Sequence, residues 1–385
     1  MTRVLSLYEG FFAGGARILH TGVVRSLHAT TDQRHRVLSL TNRVTREFTI
    51  QAIEADTSYR RLVAAGVPVR ALDRGPGDPM RALDHQLVAR EVRGADVLLS
   101  LKEQPLVELA RTGTRGRPLV VALHRSDPEH SGPGLDALRQ LHRTGHLSAA
   151  VCCSQATQRA YHAATGIPLE LLPVIPNGVD LYRFSPDDAR RAAVRRELGI
   201  PASAPVILIA ARFDEMKDVP TFLRAARAFL RRHPRAHAIL CGAGLTADNP
   251  ELLRRLTLRM RPRVHALGIQ SRMAGIYNAA DVVALTSTFG EAAPLCLLEG
   301  MASGAVPVTT DVGDAALMVG DPRLVTSRDP REIADAWTRA LDDRDEHTER
   351  IARHRQRINE QHCFDAYAKL LTRVSETTRA ARPRG

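Results

Sequence analysis

Glu291 and Glu299 lie eight residues apart in Thr286–Asp314, TSTFGEAAPLCLLEGMASGAVPVTTDVGD. Pro294, between them, suits a first helical turn, where its missing N–H costs nothing. The pattern predicts a helix opening at Ala293 or Pro294 and running to about Ser303, with Gly304 as its stop. Glu291 then falls in the loop before the helix and Glu299 inside it. First-turn N–H groups and the helix dipole make an anion site. Carboxylates accept hydrogen bonds from hydroxyls without a metal. A sugar linked to a diphosphate would meet both needs, with Ala292, Ala293, Pro294 and Leu295 facing phosphate and the glutamates facing hydroxyls.

Two cations repeat the theme. PVILIAAR (205–212) is an apolar strand ending in Arg212, and Lys217 follows before a helix predicted near Val219-Pro220. Cations just past a strand end are costly unless they meet an anion. Lys217 is one of only three lysines in the chain. Gly14 and Gly15, in GFFAGGAR after the first strand, either pack a tight turn or let backbone approach a phosphate. The loop is not a dinucleotide fingerprint. His124 ends the strand PLVVALH, where a histidine is more often structural than catalytic.

GEAAPLCLLEGMASGAVPV resembles the EX7E signature of retaining GT-B glycosyltransferases of family GT4. Ala292, Ala293 and Pro294 replace that family's commoner Gly-Phe-Gly-like run, giving a stiffer loop. The resemblance covers nearly the whole chain, tightly over about 205–320 and loosely before it. It implies two doubly wound, Rossmann-like parallel-sheet domains facing across a cleft. It places Arg212 and Lys217 on the donor diphosphate, Glu291 on the sugar and Glu299 on the ribose. It puts His124 against the donor sugar, Gly14 and Gly15 near phosphates or acceptor, and the backbone around Leu267 against the base. Transfer with retention is implied, by front-face attack, from a nucleotide-diphosphate sugar, UDP being commonest. No divalent metal and no other cofactor is expected. The acceptor, whether small molecule, glycan or lipid-linked, would meet the loops 9–20, 42–60 and 73–80. Other readings fit these residues: a sugar phosphorylase or nucleotide-sugar epimerase, or a non-catalytic nucleotide-sugar-binding protein.

The elements that must carry these residues alternate. Strands are expected at 3–8, 36–41, 67–72, 96–101, 118–124 and 149–154, with helices between them, including one within 43–65. Short apolar runs alternating with helical segments mean a parallel sheet covered on both faces. Ligands bind such sheets at the carboxyl ends of strands. VIPNGVDLYRFSP (174–186) reads as a junction, with Asn177 in a turn. The expected domains are 1–180 on the acceptor side and 181–361 for the nucleotide-sugar. A helix from 362 would return to the first domain, ending in a disordered tail, TRAARPRG. Asp281 reads as a helix-end residue, and Asp343-Arg344-Asp345 as a solvated face.

At 385 residues and 42.2 kDa the chain suits two domains. Its 44% hydrophobic and 25% charged residues are those of a globular protein. The net charge of +12 is scattered and almost wholly arginine, without basic patches interleaved with aromatics. That argues against nucleic acid. Cys152, Cys153, Cys241, Cys296 and Cys363 have no metal-type spacing and suit a reducing compartment. Glu9, Arg17, His20 and Arg25 interrupt any leader, and no run reaches the ~20 apolar residues of a membrane span. A cytoplasmic protein, at most peripheral to a membrane, is expected.

Overall fold

The computed structural model describes residues 1–12, 14–46 and 49–380. The chain divides into two compact units, Met1–Asn177 with Gln361–Gly385, and Gly178–Glu360. Each is built on a six-stranded, all-parallel sheet.

In the first unit the strands are β1 (Thr2–Tyr8), β2 (Gln33–Ser39), β5 (Val69–Ala71), β6 (Val97–Leu101), β7 (Leu119–Leu123) and β8 (Leu147–Cys152). Their order is β5-β2-β1-β6-β7-β8. The largely apolar sequences of β6 and β7 follow from burial on both faces; every residue of these two strands is buried. The chain winds outward from β1 to β5, then returns to lay β6 on the other side of β1. Strand order therefore reverses between β1 and β6, and ligands of such sheets sit above that point.

The segment 43–65 contains the expected helix and an addition to it. An antiparallel hairpin, β3 (Arg43–Arg46) with β4 (Thr49–Ala52), comes first. Helix follows only at Thr57–Ala64, where Asp56 accepts from Ser58 N and Tyr59 N at 2.7 and 3.2 Å. Val44, Thr45, Thr49 and Ile50 are β-branched and alternate with polar residues, which favours strand locally. Glu47 and Phe48 lie outside the described residues.

The second unit repeats the winding. Its strands are β9 (Val206–Ala210), β10 (His237–Cys241), β11 (Val264–Ala266), β12 (Val282–Leu285), β13 (Val306–Thr310) and β14 (Val325–Thr326). They run in the order β11-β10-β9-β12-β13-β14, with the reversal between β9 and β12.

The chain passes between units twice. Val179 N donates to Ile358 O at 2.8 Å and Glu360 N to Val179 O at 3.0 Å, so the two connecting segments run side by side. A Cβ on Gly178 would come within 2.3 Å of Glu360 Cα, which only glycine tolerates. The helix Glu360–Ala380 belongs with the first unit: Gln33 Nε2 donates to Ala368 O at 3.1 Å. It includes the first three residues of the expected tail; residues 381–385 lie outside those described. No described helix is long and apolar enough to cross a membrane.

Asp281 needs correcting. It does follow a helix, Met273–Ala279, but it is a buried hub rather than a mere helix end. Its carboxylate pairs with Arg191 at 2.7 Å, Arg195 at 2.9 Å and Arg344 at 2.9 Å, and accepts from Val206 N at 2.8 Å. Its own backbone ties the amino ends of β9 and β13. That is the opposite end of the sheet from the strand reversal's ligand side. Arg344, expected to be solvated, thus serves the fold.

Candidate active site

The sheet reversal of the second unit puts the loops after β9 and β12 together, and these carry Arg212, Lys217 and Glu291. Thr288 N donates to Met216 O at 2.8 Å, and Thr286 Oγ1 donates to Lys217 O at 3.0 Å. The two loops are therefore stitched by backbone, which fixes Lys217 beside Glu291. Lys217 Nζ donates to Glu291 Oε1, and Ser287 Oγ donates to the same oxygen at 2.6 Å. Glu291 is 6% exposed. Both donors fall on Oε1, which leaves Oε2 to accept from a hydroxyl.

Arg212 is half exposed and bonds Asp214 at 2.8 Å. Asp214 also accepts from the backbone Lys217 N at 3.0 Å, so one carboxylate holds the Arg212 side chain and the turn that carries Lys217. The whole loop rests on the turn after β10. Phe213 N donates to Ala243 O at 2.8 Å, and a Cβ on Gly242 would sit 1.8 Å from Ala211 O.

The helix Leu295–Ala302 opens one or two residues later than expected, with Pro294 extended at its N-cap. Pro294 still supplies the fixed φ, but its ψ of 116° lies outside the helix. The amides of Leu295 and Cys296 precede the first donor into the helix, Leu297 N to Pro294 O at 3.2 Å. Ala292 is buried, and its carbonyl accepts from Asp314 N at 2.9 Å; Ala293 is half-buried. Gly300 brings the helix onto β12, since a Cβ there would meet Val283 at 2.5 Å.

Glu299 stands on the second turn of this helix, half-buried. Burial pushes its carboxyl up to about 7, although the Tyr277 hydroxyl hydrogen-bonds it and Arg183 contributes positive charge. Cys296 lies among Lys217, Glu291 and Glu299, whose charges all reach it. These groups thus form one cluster. Leu267 is at the neighbouring sheet edge, past β11. Its N–H is committed to Leu240 O at 2.9 Å, and its carbonyl accepts from Gln270 Nε2 at 2.6 Å. A base meeting this backbone would share that carbonyl.

Gly14, Gly15 and His124 belong to the first unit. Gly14 is the N-cap of the helix Gly15–Thr30 and has open space where a Cβ would stand. His124 follows β7. Burial pulls its imidazole down to about 3, assisted by Lys102, so it is neutral at physiological pH. Its Nε2 is buried without a partner. Beside the reversal point, Glu9, Phe12, Leu40, Thr41, Arg74 and Gln104 are among the residues lining a cleft of about 240 Å³. Gln104 Oε1 and Arg74 Nε are buried there without partners.

Sequence reading missed Ser287, Asp214, Tyr277 and Gly313. Asp214 left a usable signal, an aspartate three residues before Lys217 in a turn. Gly313 left none: its Cβ would fall 2.0 Å from Glu291 O, a contact between segments distant in sequence.

A pair of Rossmann-like parallel sheets with these loops is the GT-B architecture. Anabaena HepE in complex with UDP shares it, with a TM-score of 0.79 at 24% identity over 97% of this chain and all of that one. The same protein in complex with UDP-glucose gives 0.79 at 23% identity, over 99% of this chain and 100% of that one. The profile described as Glycosyltransferase Family 4 matches residues 13–183, and that described as Glycosyl transferases group 1 matches 204–343. Both profiles describe glycosyltransferases, and together they match most of the chain. D-inositol 3-phosphate glycosyltransferase of Nocardia farcinica is 34% identical over 191 residues, 47% of this chain and 42% of the relative. That of Geodermatophilus obscurus is 31% identical over 228 residues, 55% of this chain and 49% of the relative. The chain spans less than half the length of the curated relatives it matches.

Proposed function

We propose that the protein is a retaining glycosyltransferase that moves a sugar from a UDP-linked donor to a hydroxyl of a small polyol acceptor. The observation that carries this reading is the Lys217–Glu291–Ser287 cluster, with Arg212 beside it, at the strand reversal of the second unit. Arg212, Lys217 and the first amides of Leu295–Ala302 stabilise negative charge growing on the departing diphosphate. These fixed cations and dipoles do this without a divalent metal. Glu291 Oε2 accepts from a sugar hydroxyl, while Glu299 accepts from the ribose. Neutral His124 offers a hydrogen bond rather than a charge to the sugar. The attacking hydroxyl passes its proton to the leaving phosphate, front-face, and the anomeric configuration is kept. The donor's being a UDP sugar draws support from the HepE complexes, and the polyol from the names of the curated relatives. The cleft beside Glu9 and Gln104, with unsatisfied donor and acceptor atoms, suits a hydroxylated acceptor.

Thermal stabilisation by UDP, GDP and ADP in EDTA tests the donor half, because a ligand of the folded state raises the melting temperature. A shift with UDP that is lost in Arg212→Ala and Glu299→Ala supports the site. No shift with any nucleotide at several millimolar, above most substrate affinities, sinks it. NMR of the product of a polyol screen then reads the anomer.

A further inference from the structure

His20 and His124 each carry a nitrogen that the proposed reaction leaves unexplained. Nε2 of both imidazoles is buried and bonds nothing. Buried polar atoms in native proteins are nearly always paired, because an unpaired one forfeits its hydration. Two idle nitrogens of the same kind, in one part of the fold, call for a joint account. Their place follows from the sheet. Tyr8 ends β1 and His124 follows β7, with β6 between the two strands. The helix Gly15–Thr30 rests on β2 and β6, which flank β1, so it lies over the strand that carries Tyr8. From that helix His20, 1% exposed, meets the Tyr8 hydroxyl through Nδ1 at 2.9 Å. The two rings are edge-on, 5.3 Å apart.

Both rings are neutral. Burial, and then the nearness of His124, Arg17 and His35, push the His20 imidazole well below its usual range. Burial takes His124 down to about 3. A neutral imidazole has one N–H, and its position is set by what the other nitrogen bonds. A phenol donates far more readily than it accepts, so Tyr8 gives its hydrogen to His20 Nδ1. His20 then carries its own hydrogen on Nε2. That N–H and the idle Nε2 of His124 are complementary, a donor and an acceptor. Accepting it leaves His124 with its hydrogen on Nδ1, the nitrogen not enclosed in the interior. A free histidine side chain prefers the opposite form, so an outside donor has to impose this one.

We propose that Tyr8 and His20 are positioning residues whose hydrogen-bond chain ends on His124 Nε2 and fixes that imidazole as its Nδ1–H tautomer. One water can carry the last link, since both of its ends are polar. His124 then presents an N–H, not a lone pair, to an oxygen of the donor sugar. That step rests on the transferase reading; the tautomer itself does not. Two purely structural histidines would have no reason to leave a matching donor and acceptor idle in the same interior.

The test is nitrogen NMR of the full chain labelled at its histidines, at neutral pH, with His124 assigned by its absence from His124→Ala. The wild type should show His124 protonated on Nδ1 and His20 on Nε2. His20→Phe, which removes the donor at similar volume, should turn His124 to the Nε2–H form. Tyr8→Phe, which frees His20 Nδ1, should shift it the same way. His20→Gln keeps an N–H near the place of Nε2 and should restore the Nδ1–H signal. Should His20→Phe not fold, Tyr8→Phe against His20→Gln decides alone. With a UDP sugar, His20→Phe should lower kcat/KM about tenfold and leave UDP affinity unchanged, because UDP lacks the sugar that His124 meets. A wild-type His124 protonated on Nε2, or one that stays on Nδ1 in both His20→Phe and Tyr8→Phe, overturns the relay. If the tautomers change as stated but turnover is absent or unaltered, the relay stands and the transferase role of His124 fails.

Discussion

Lys217 and Ser287 converge on one oxygen of Glu291, from two loops that the sheet reversal brings together. The pair is mostly buried, with side-chain exposures of 15% and 7%. Removing one member of such a pair strands the other. Lys217→Met should therefore destabilise the second unit by about 3 kcal/mol, and Glu291→Leu similarly, while the double variant recovers much of the loss. Chemical denaturation of the four proteins measures the coupling. Additive losses would mean that the two charges do not support each other.

Lys217→Met should also slow donor turnover by about 10²–10³-fold if the ammonium faces the departing diphosphate, the range seen for removing one oxyanion donor. UDP release from its sugar donor reports it. A rate within threefold of wild type would remove Lys217 from the chemistry.

Glu299 sets a pH dependence whose sign follows from its raised carboxyl. The folded protein holds this proton more tightly than the unfolded chain, so its contribution to stability is present near pH 4 and is lost as pH rises through about 7. The wild type should fall in melting temperature relative to Glu299→Gln between pH 5 and 8. UDP affinity should run the other way, rising up to about tenfold per pH unit below 7 because the ribose needs the ionised form. The β-phosphate of UDP titrates in the same range, and Glu299→Gln keeps only that part. Parallel slopes in the two proteins would refute the assignment.

Gly313→Ala should impair the site from outside it. The new Cβ meets Glu291 O at 2.0 Å and Ala292 O at 2.9 Å, so the loop bearing Glu291 must move. Gly320→Ala is the control, having φ 65° against 63° but no atom nearer than Leu317 O at 3.9 Å. Both should lose about 1–2 kcal/mol to the left-handed backbone. Only Gly313→Ala should lose UDP binding, by tenfold or more in titration calorimetry. Equal losses of binding would show that the brace is immaterial.

Asp281→Asn should cost stability without touching the nucleotide site. It leaves Arg195, which is 2% exposed, with no ionised partner and weakens the side chain's hold on Val206 N at the start of β9. A loss of about 3 kcal/mol or more is expected. UDP affinity, measured where the variant is still folded, should be unchanged.

What could be read from the chain follows from the range of the interactions. Both parallel sheets were legible, because β7, β9 and β12 are unbroken apolar runs whose length and spacing announce them. Arg212 and Lys217 stood out because their loop abuts a strand end, and Glu291 and Glu299 because their spacing brackets a helix start. The hairpin β3–β4, ahead of the helix expected within 43–65, was not legible, since its short strands carry little apolar signal. The ion pair between residues 217 and 291, the brace at Gly313 and the burial of Asp281 depend on pairings across 22 to 90 residues. Nothing local to any of them encodes a partner.

The paired crossings beside Gly178 also bear on the order in which the molecule is made. Residues 178–360 form a continuous stretch and can fold as soon as they leave the ribosome, since domains generally fold as units during synthesis. The first unit cannot be completed so early, because the helix that Gln33 holds at Ala368 is synthesised only after residues 178–360. Residues 1–177 must wait for that helix while the second unit assembles. Chaperone demand should therefore fall on residues 1–177, and a chain arrested at 360 would lack the helix's buried side chains, Phe364, Tyr367 and Leu371 among them.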